Sequence, residues 1–116
     1  MSRHLERTVR SLSEAAPVFA ALGDQTRLAV IARLCTDGPL SIARLSEGVA
    51  VSRQAVTKHL ETLADAGLVR DARLGRERIW QLEPRRLEVA RRELDRISAQ
   101  WDAALGRLKA FVEEES

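Results

Sequence analysis

The stretch that most constrains the fold is residues 51–67, VSRQAVTKHLETLADAG, because it marks both ends of one short helix. Ser52 is a favoured N-cap residue, since its hydroxyl can accept a hydrogen bond from a free N–H group of the first turn. Gly67 supplies the left-handed residue that often ends a helix, and the apolar Leu68 after it is typical of this ending. The stretch therefore predicts a helix from Arg53 to about Ala66.

The two faces of this helix differ in character. At 100° per residue, Val56, Leu60 and Leu63 fall on one narrow apolar stripe, and we expect them to be buried. On the opposite face the acids lie toward the C-terminal end, as in a helix whose N-terminal residues meet DNA. The solvated surface of an ordinary helix would show a similar pattern. On the DNA-binding interpretation, the contacting residues are Ser52, Arg53, Gln54, Thr57 and Lys58.

Length and charge set the broad class of protein. A chain of 116 residues can form one domain, residues 1–116, with a core that needs no disulfide or metal. A net charge of +2 is too small to indicate a nucleic-acid partner by itself. The sequence has no apolar run that predicts a membrane span or a signal peptide, so we expect a cytosolic protein. It also lacks any recognisable set of catalytic residues, so we do not expect an enzyme.

Three helices are predicted before residue 51. Leu5, Val9 and Leu12 recur at helical spacing and predict an amphipathic helix over residues 3–15, interrupted near Pro17 and followed by a short helical piece, residues 18–22. Asp24 then caps a helix from Gln25 to about Thr36. Its inward face is predicted to hold Leu28, Ile31, Leu34 and Cys35.

A third, short helix is predicted over residues 42–48, with Ser41 as its N-cap. Only a few residues separate it from Ser52. Two short helices joined by a tight turn form a helix-turn-helix, here over about residues 41–67.

The next segment, residues 68–82, predicts a β-hairpin. Strands at 68–74 and 77–82 flank Gly75-Arg76, and glycine at the first loop position suits a type II′ turn. In that register Arg73 faces Arg78, and this like-charge pair is costly unless something neutralises it. DNA phosphates would do so if the hairpin were the wing of a winged helix, although a polar hairpin exposed to solvent fits as well. The predicted wing contacts are Arg73, Arg76 and Arg78.

The last element is a helix that begins at Pro84 and runs to about Glu115. Its apolar residues recur every three or four positions, and at ~1.5 Å per residue its length of ~45 Å exceeds what so small a domain can cover. A second copy of the chain would cover the stripe, together with the helix over residues 3–15. The alternative is a monomer whose last helix folds back over its own domain. The predicted dimer contacts are Leu5, Val9, Leu12, Leu94, Ile97, Trp101, Leu105 and Leu108.

Three segments together carry a family resemblance: LGDQTRLAVIARL, SRQAVTKHLETLADAGLV and GRERIWQLEP. Their order resembles that of the ArsR (arsenic-repressor) family of winged-helix transcription regulators. The resemblance implies a mainly α fold with a small β-hairpin, a winged helix-turn-helix with long N- and C-terminal dimerisation helices. It also implies a homodimer on double-stranded DNA, with the helix after Ser52 in the major groove and the hairpin beside the minor groove.

The family's metal sites are not matched here. In the arsenic sensors two cysteines lie where this chain has Ser41 and Ala43, and the C-terminal helix contains no histidine for the other family site. Soft and borderline metals need several Cys or His ligands, so we expect neither a metal nor another cofactor. The ending WDAALGRLKAFVEEE looks like a subgroup that has lost these sites.

Four residues allow two interpretations each. His59 lies at the edge of the apolar stripe and is either a packed boundary residue or a phosphate contact. Cys35 is expected to be buried and inert, with a thiol sensor as the alternative. Trp80 and Trp101 lie on apolar patterns and are expected in the core rather than in a ligand pocket.

These patterns predict a sequence-specific DNA-binding transcription regulator, a homodimeric repressor that reads an inverted repeat. Arg53 suits guanine and Gln54 suits adenine as bidentate base contacts. Two alternatives remain: a protein-interaction module that uses the C-terminal helix, and a regulator that senses oxidants through Cys35. The sequence identifies neither the operator nor an effector.

Overall fold

The computed structural model describes residues 2–115, in which helices pack against one end of a small antiparallel sheet with strand order β1-β3-β2. This mainly helical winged-helix architecture confirms the predicted fold class. None of the described helices is long and apolar enough to cross a membrane. The elements are α1 (Arg3–Leu22), α2 (Gln25–Asp37), β1 (Leu40–Ser41), α3 (Ile42–Ser46), α4 (Arg53–Asp65), β2 (Val69–Leu74), β3 (Glu77–Leu82) and α5 (Pro84–Glu115).

Helix α4 has both of its predicted ends. The Ser52 hydroxyl accepts a hydrogen bond from the Ala55 N–H at 3.2 Å. Gly67 has φ +78°, and the Leu68 N–H donates to the Leu63 carbonyl at 2.9 Å, which closes the helix as the sequence predicts. The predicted apolar stripe of Val56, Leu60 and Leu63 is fully buried.

The hairpin has its predicted register, with Arg73 opposite Arg78. Gly75 has φ +66°, and no other type of residue within 2–115 has a positive φ. A type I′ turn needs two positive φ values, so this combination agrees with the predicted type II′ turn.

One strand was not predicted. Leu40 and Ser41 form β1 and pair with Trp80 and Ile79 of β3, which ties the start of the helix-turn-helix to the wing. Two residues are too few to show the alternation that identifies a strand in a sequence. Helix α3 is also shorter than predicted, because it ends at Ser46 and not at residue 48.

Helix α1 is continuous through Pro17, so the predicted interruption there is wrong. Proline removes one N–H, which costs a helical hydrogen bond. Ala15 and Val18, on either side of Pro17, are both buried, and so is Ala21 one turn later. Burial on both sides of Pro17 stabilises one unbroken helix, because most helical stability in proteins comes from tertiary packing.

Helix α2 has its predicted bounds to within one residue, but a different face is inward. Val30, Ile31 and Leu34 are buried, whereas Leu28 is 50% exposed and Cys35 is exposed, which corrects both of those predictions. Apolar residues occupy two overlapping stripes in this helix, and spacing alone does not choose between them. Contact with α1, α4 and β3 decides which stripe is buried.

The N-cap of α2 gives an acid-stability prediction. Asp24 accepts a hydrogen bond from the Arg27 N–H at 2.9 Å, and this bond is the main reason that the pKa of Asp24 lies below its usual value of 3.8. Its stabilisation is therefore present above that value and is lost as the pH falls through the lower, folded-state pKa. We expect Asp24→Asn, which can still cap the helix, to flatten the fall in the free energy of unfolding below about pH 4.

Urea unfolding of the wild type and of Asp24→Asn across this acid range measures the effect. Asp102→Asn is the matched control, because Asp102 is exposed on α5 and accepts no side-chain hydrogen bond from any residue between 2 and 115. Parallel profiles for wild type and Asp24→Asn would show that the cap does not contribute to acid unfolding.

Helix α5 is unbroken, as predicted, and its 32 residues span ~48 Å at ~1.5 Å per residue. It packs mainly against α1, and residues 94–115 are all exposed, so the molecule measures 67 × 32 × 20 Å. The helix does not fold back over its own domain. Trp80 is buried as predicted, but Trp101 is 65% exposed, and its expected place in the core of the chain is wrong.

Candidate nucleic-acid interface

The exposed face of α4 presents three polar side chains from its N-terminal half. Arg53, Gln54 and Lys58 are exposed, because burial of the opposite face fixes the rotation of the helix. Arg53 and Lys58 make no ion pair with any side chain between residues 2 and 115. Their charged groups are therefore available to an external partner.

The two predicted hydroxyl contacts are partly used inside α4. The Ser52 oxygen accepts the capping hydrogen bond but can still donate its proton. The Thr57 hydroxyl donates to the Arg53 carbonyl at 2.9 Å, so it can only accept a further bond. Phosphate oxygens are acceptors, and Ser52 is therefore the better phosphate contact of the two.

His59 is turned toward α2 and not toward solvent. Its side chain is 23% exposed, and its Nδ1 lies 3.3 Å from Nη1 of Arg27 and 4.0 Å from a carboxylate oxygen of Asp24. Because arginine can only donate, Nδ1 is the acceptor and Nε2 carries the proton in the neutral ring. This geometry fits a packed boundary residue rather than a phosphate contact, because His59 does not reach the exposed face of α4.

Arg27 is the residue in this region to which the sequence assigned no role. It donates hydrogen bonds to the Ala20 and Ala21 carbonyls at the end of α1 and also contacts His59 on α4. One guanidinium group thus joins α1, α2 and α4. Arg27 lies in the LGDQTRL segment that the sequence analysis quoted. Its partners are 6, 7 and 32 residues away, so only the folded structure identifies them.

The arginines of the hairpin differ in availability. Arg78 donates to the Asp71 carboxylate at 2.7 Å and stacks over the Trp80 ring, with 4.5 Å from the guanidinium carbon to the ring centroid. The chain itself therefore relieves the Arg73–Arg78 repulsion, which the sequence assigned to phosphates. The hydrogen bond from Arg78 is also the main cause that lowers the pKa of Asp71.

Arg73 and Arg76 are exposed near the turn of the hairpin, with no ion pair to residues 2–115. Arg70, at the base of the hairpin, pairs with Glu83 at 3.4 Å. The acids of α4, Glu61 and Asp65, lie at the far end of that helix. Within the segment from α4 to the hairpin, the unpaired positive charge is therefore at the start of α4 and at the tip of the hairpin.

A second surface is apolar and runs along α5 and α1. The exposed fractions of Leu94, Ile97, Trp101, Leu105 and Leu108 range from 39% to 65%. On α1, Leu5 and Val9 are nearly half exposed and Leu12 is half-buried. The predicted dimer contacts thus form an uncovered stripe, and Phe111 and Val112 extend it toward the C-terminus.

Comparisons with known proteins agree with this architecture. A family model described as a helix-turn-helix domain matches residues 22–72. The chain is 40% identical over 97 residues to the HTH-type transcriptional regulator Rv2034 of Mycobacterium tuberculosis, covering 84% of this chain and 87% of that protein.

Two solved structures are similar in fold. An ArsR-like transcriptional regulator from Rhodococcus sp. RHA1 has a TM-score of 0.71 and 38% identity, covering 86% of this chain and 93% of that one. The AntR antimony-specific transcriptional repressor has a TM-score of 0.58 and 28% identity, covering 78% and 83%.

Proposed function

This chain belongs to the ArsR family of winged helix-turn-helix, DNA-binding transcription regulators, and from that premise we propose that it acts as a homodimeric repressor that reads an inverted repeat. The observation that carries the proposal is the N-terminal half of α4, where Arg53, Gln54 and Lys58 are exposed above a fully buried apolar face. A recognition helix reads the major groove with its N-terminal residues.

The side chains divide into base-reading and backbone-holding groups. Arg53 can bind guanine and Gln54 adenine in bidentate geometry. Ser52 and Lys58 hold the neighbouring phosphates, and Thr57 accepts from a base edge with the lone pairs left on its hydroxyl. Arg73 and Arg76 bind the backbone from the wing, while Arg78 holds the hairpin in shape through Asp71 and Trp80. His59 supports the position of α4 and does not contact DNA.

The uncovered apolar stripe supports the homodimer. A contiguous apolar surface of this kind marks an interaction site, and a second copy presents the same stripe for a two-fold interface. Two recognition helices related by a two-fold axis bind half-sites about one helical turn apart, ~34–36 Å. Repression follows if the operator overlaps the promoter, and the similar AntR protein is named a repressor.

One observation favours a variant of this function. Cys35 is exposed, which a thiol-sensing regulator requires and a buried cysteine would not allow. In that variant, oxidation of Cys35 would change the affinity of the same DNA-binding surface. The alternative of a pure protein-interaction module has weaker support, because it gives no role to the exposed arginines of the wing.

The direct test is fluorescence anisotropy of the purified protein with DNA from upstream of its own gene. Random DNA of equal length is the control, and both are measured across a salt series. The proposal expects selective binding with a steep dependence on salt, because cations that contact phosphates release counterions. Equal, weak binding to both DNAs would contradict it.

The wing gives a separate prediction. We expect Arg76→Ala to weaken binding to operator and random DNA by the same factor, because Arg76 contacts only phosphates. The slope of log K against log salt should fall by about one, which is one phosphate contact. Arg107→Ala is the matched control, because it removes the same charge from an exposed position on α5. An unchanged slope in Arg76→Ala would show that this arginine does not touch the backbone.

A further inference from the structure

A cleft where α1 meets α5 has no part in the proposed DNA interface. Its volume of about 420 Å³ lies within the ~300–1,000 Å³ typical of small-molecule sites. Arg7 and Arg10 line it from α1, and Arg96 lines it from α5. His4 and the hydroxyl of Ser11 lie in the same wall.

The charges of the cleft are unbalanced. Neither Arg7 nor Arg10 forms a hydrogen bond or ion pair with the side chains of residues 2–115. Arg96 pairs with Glu93 at 3.6 Å, and Glu93 is buried behind it with one carboxylate oxygen that makes no hydrogen bond. Glu14 is the acid in the lining itself. With Glu93 paired to Arg96, three guanidinium groups stand against two carboxylates, which leaves a net positive charge in the cleft.

The cleft is separate from the apolar stripe. On a helical wheel of 3.6 residues per turn, Arg7 lies about 140–160° from Leu5, Val9 and Leu12. Arg96 likewise lies about 140° from Trp101. A partner that covers the stripe would therefore leave the cleft open to solvent.

We propose that this cleft binds a small multivalent anion, of the class of organic di- and tricarboxylates and phosphate esters. Arg7 and Arg10 hold it from α1 and Arg96 from α5, because the guanidinium fork matches carboxylate and phosphate oxygens in bidentate geometry. The Ser11 hydroxyl can donate one further bond. The Thr8 hydroxyl cannot donate, since it already donates to the His4 carbonyl at 3.0 Å.

The cleft is connected to the recognition helix through α1. This helix is unbroken from the cleft to Leu22, and its last carbonyls accept hydrogen bonds from Arg27, which also contacts His59 on α4. An anion that bridges α1 and α5 would fix the angle between these two helices. It would thereby restrict the position of the end of α1, where Arg27 links it to α4. This effect on DNA affinity rests on the proposed function, whereas anion binding itself does not.

Isothermal titration calorimetry on the full-length protein without DNA tests the site. The probes are citrate and pyrophosphate at constant ionic strength, and they distinguish a carboxylate from a phosphate ligand. We expect saturable binding of at least one of them, with one site per chain. The double variant Arg7→Gln/Arg10→Gln and the single variant Arg96→Gln should each weaken it about tenfold or more. Arg107→Gln, which removes an exposed charge outside the cleft, should leave it within about twofold.

Two results would overturn the site. One is the absence of saturable binding for both probes, and the other is an equal loss in Arg107→Gln, which would indicate a general charge effect. Circular dichroism of each variant confirms that it is folded. Operator anisotropy with saturating anion then tests the effect on DNA: unchanged affinity would remove the regulatory role. Absence of DNA binding with or without anion would contradict the proposed function and leave the calorimetric result intact.

Discussion

Replacing Trp101 by glutamate is expected to turn the proposed dimer into a monomer and to remove most of its operator affinity. Trp101 is 65% exposed near the middle of the apolar stripe on α5. A two-fold axis at this point would place the Trp101 side chains of the two chains next to each other. A buried tryptophan at an interface contributes about 2 kcal/mol or more. The dimer contains Trp101 twice, so the variant should lose about 4 kcal/mol of association free energy. This loss corresponds to a roughly thousandfold higher dimer dissociation constant. The two carboxylates would also repel each other.

Sedimentation equilibrium at micromolar protein measures the oligomeric state, and operator anisotropy measures the consequence. A monomer places one α4 helix on one half-site. It therefore loses the additional affinity that a dimer gains by binding both half-sites at once. Ala103→Glu is the matched control, because it adds the same charge to an exposed position about 160° from Trp101 on the helix. A wild type that is already monomeric, or a Trp101→Glu variant that stays dimeric, would refute the proposed interface.

The second large effect is expected from Arg53→Ala. A bidentate contact of arginine with guanine discriminates against the wrong base by about 1–3 kcal/mol. Operator affinity should therefore fall about 5- to 150-fold, whereas affinity for random DNA should change little. The fold should be unaffected, since Arg53 is exposed and its backbone carbonyl still accepts from Thr57.

Competition anisotropy with operator, single-base variants and random DNA separates base reading from charge. The comparison with Arg76→Ala is the internal control, because both variants lose one positive charge. Arg53→Ala should relax the preference at one base pair, whereas Arg76→Ala should keep the sequence preference intact. Equal losses of affinity for operator and random DNA in Arg53→Ala would show that Arg53 contacts the DNA phosphates and not a base.

Much of the recognition unit was predictable because its signals are local. The cap at Ser52, the left-handed Gly67 and the turn at Gly75 each depend on a few neighbouring residues, and the structure has all three as predicted. The hairpin register followed from its turn, so Arg73 opposite Arg78 was predictable as well. The contact roles of Arg53, Gln54 and the wing arginines remain proposals, because they depend on a DNA molecule that binds there.

Two contacts that sequence reasoning missed join side chains on different secondary-structure elements. Arg78 on β3 pairs with the carboxylate of Asp71 on β2 and stacks on the Trp80 ring, so its charge is compensated without phosphates. The partner of His59 is Arg27, 32 residues earlier. Neither contact follows from helical spacing, because spacing describes one element and says nothing about what packs against it.

The sequence by itself determined where most elements begin and end and which face of α4 is apolar, since caps, turns and period are properties of short segments. Only the tertiary structure decided that α1 continues through Pro17 and that α2 buries Val30 and not Leu28. It also decided that Cys35 is exposed, and that Trp101 lies on the uncovered stripe of α5 and not in the core. In each case the local pattern allows more than one arrangement of similar free energy, and the choice depends on how much apolar surface the neighbouring elements cover.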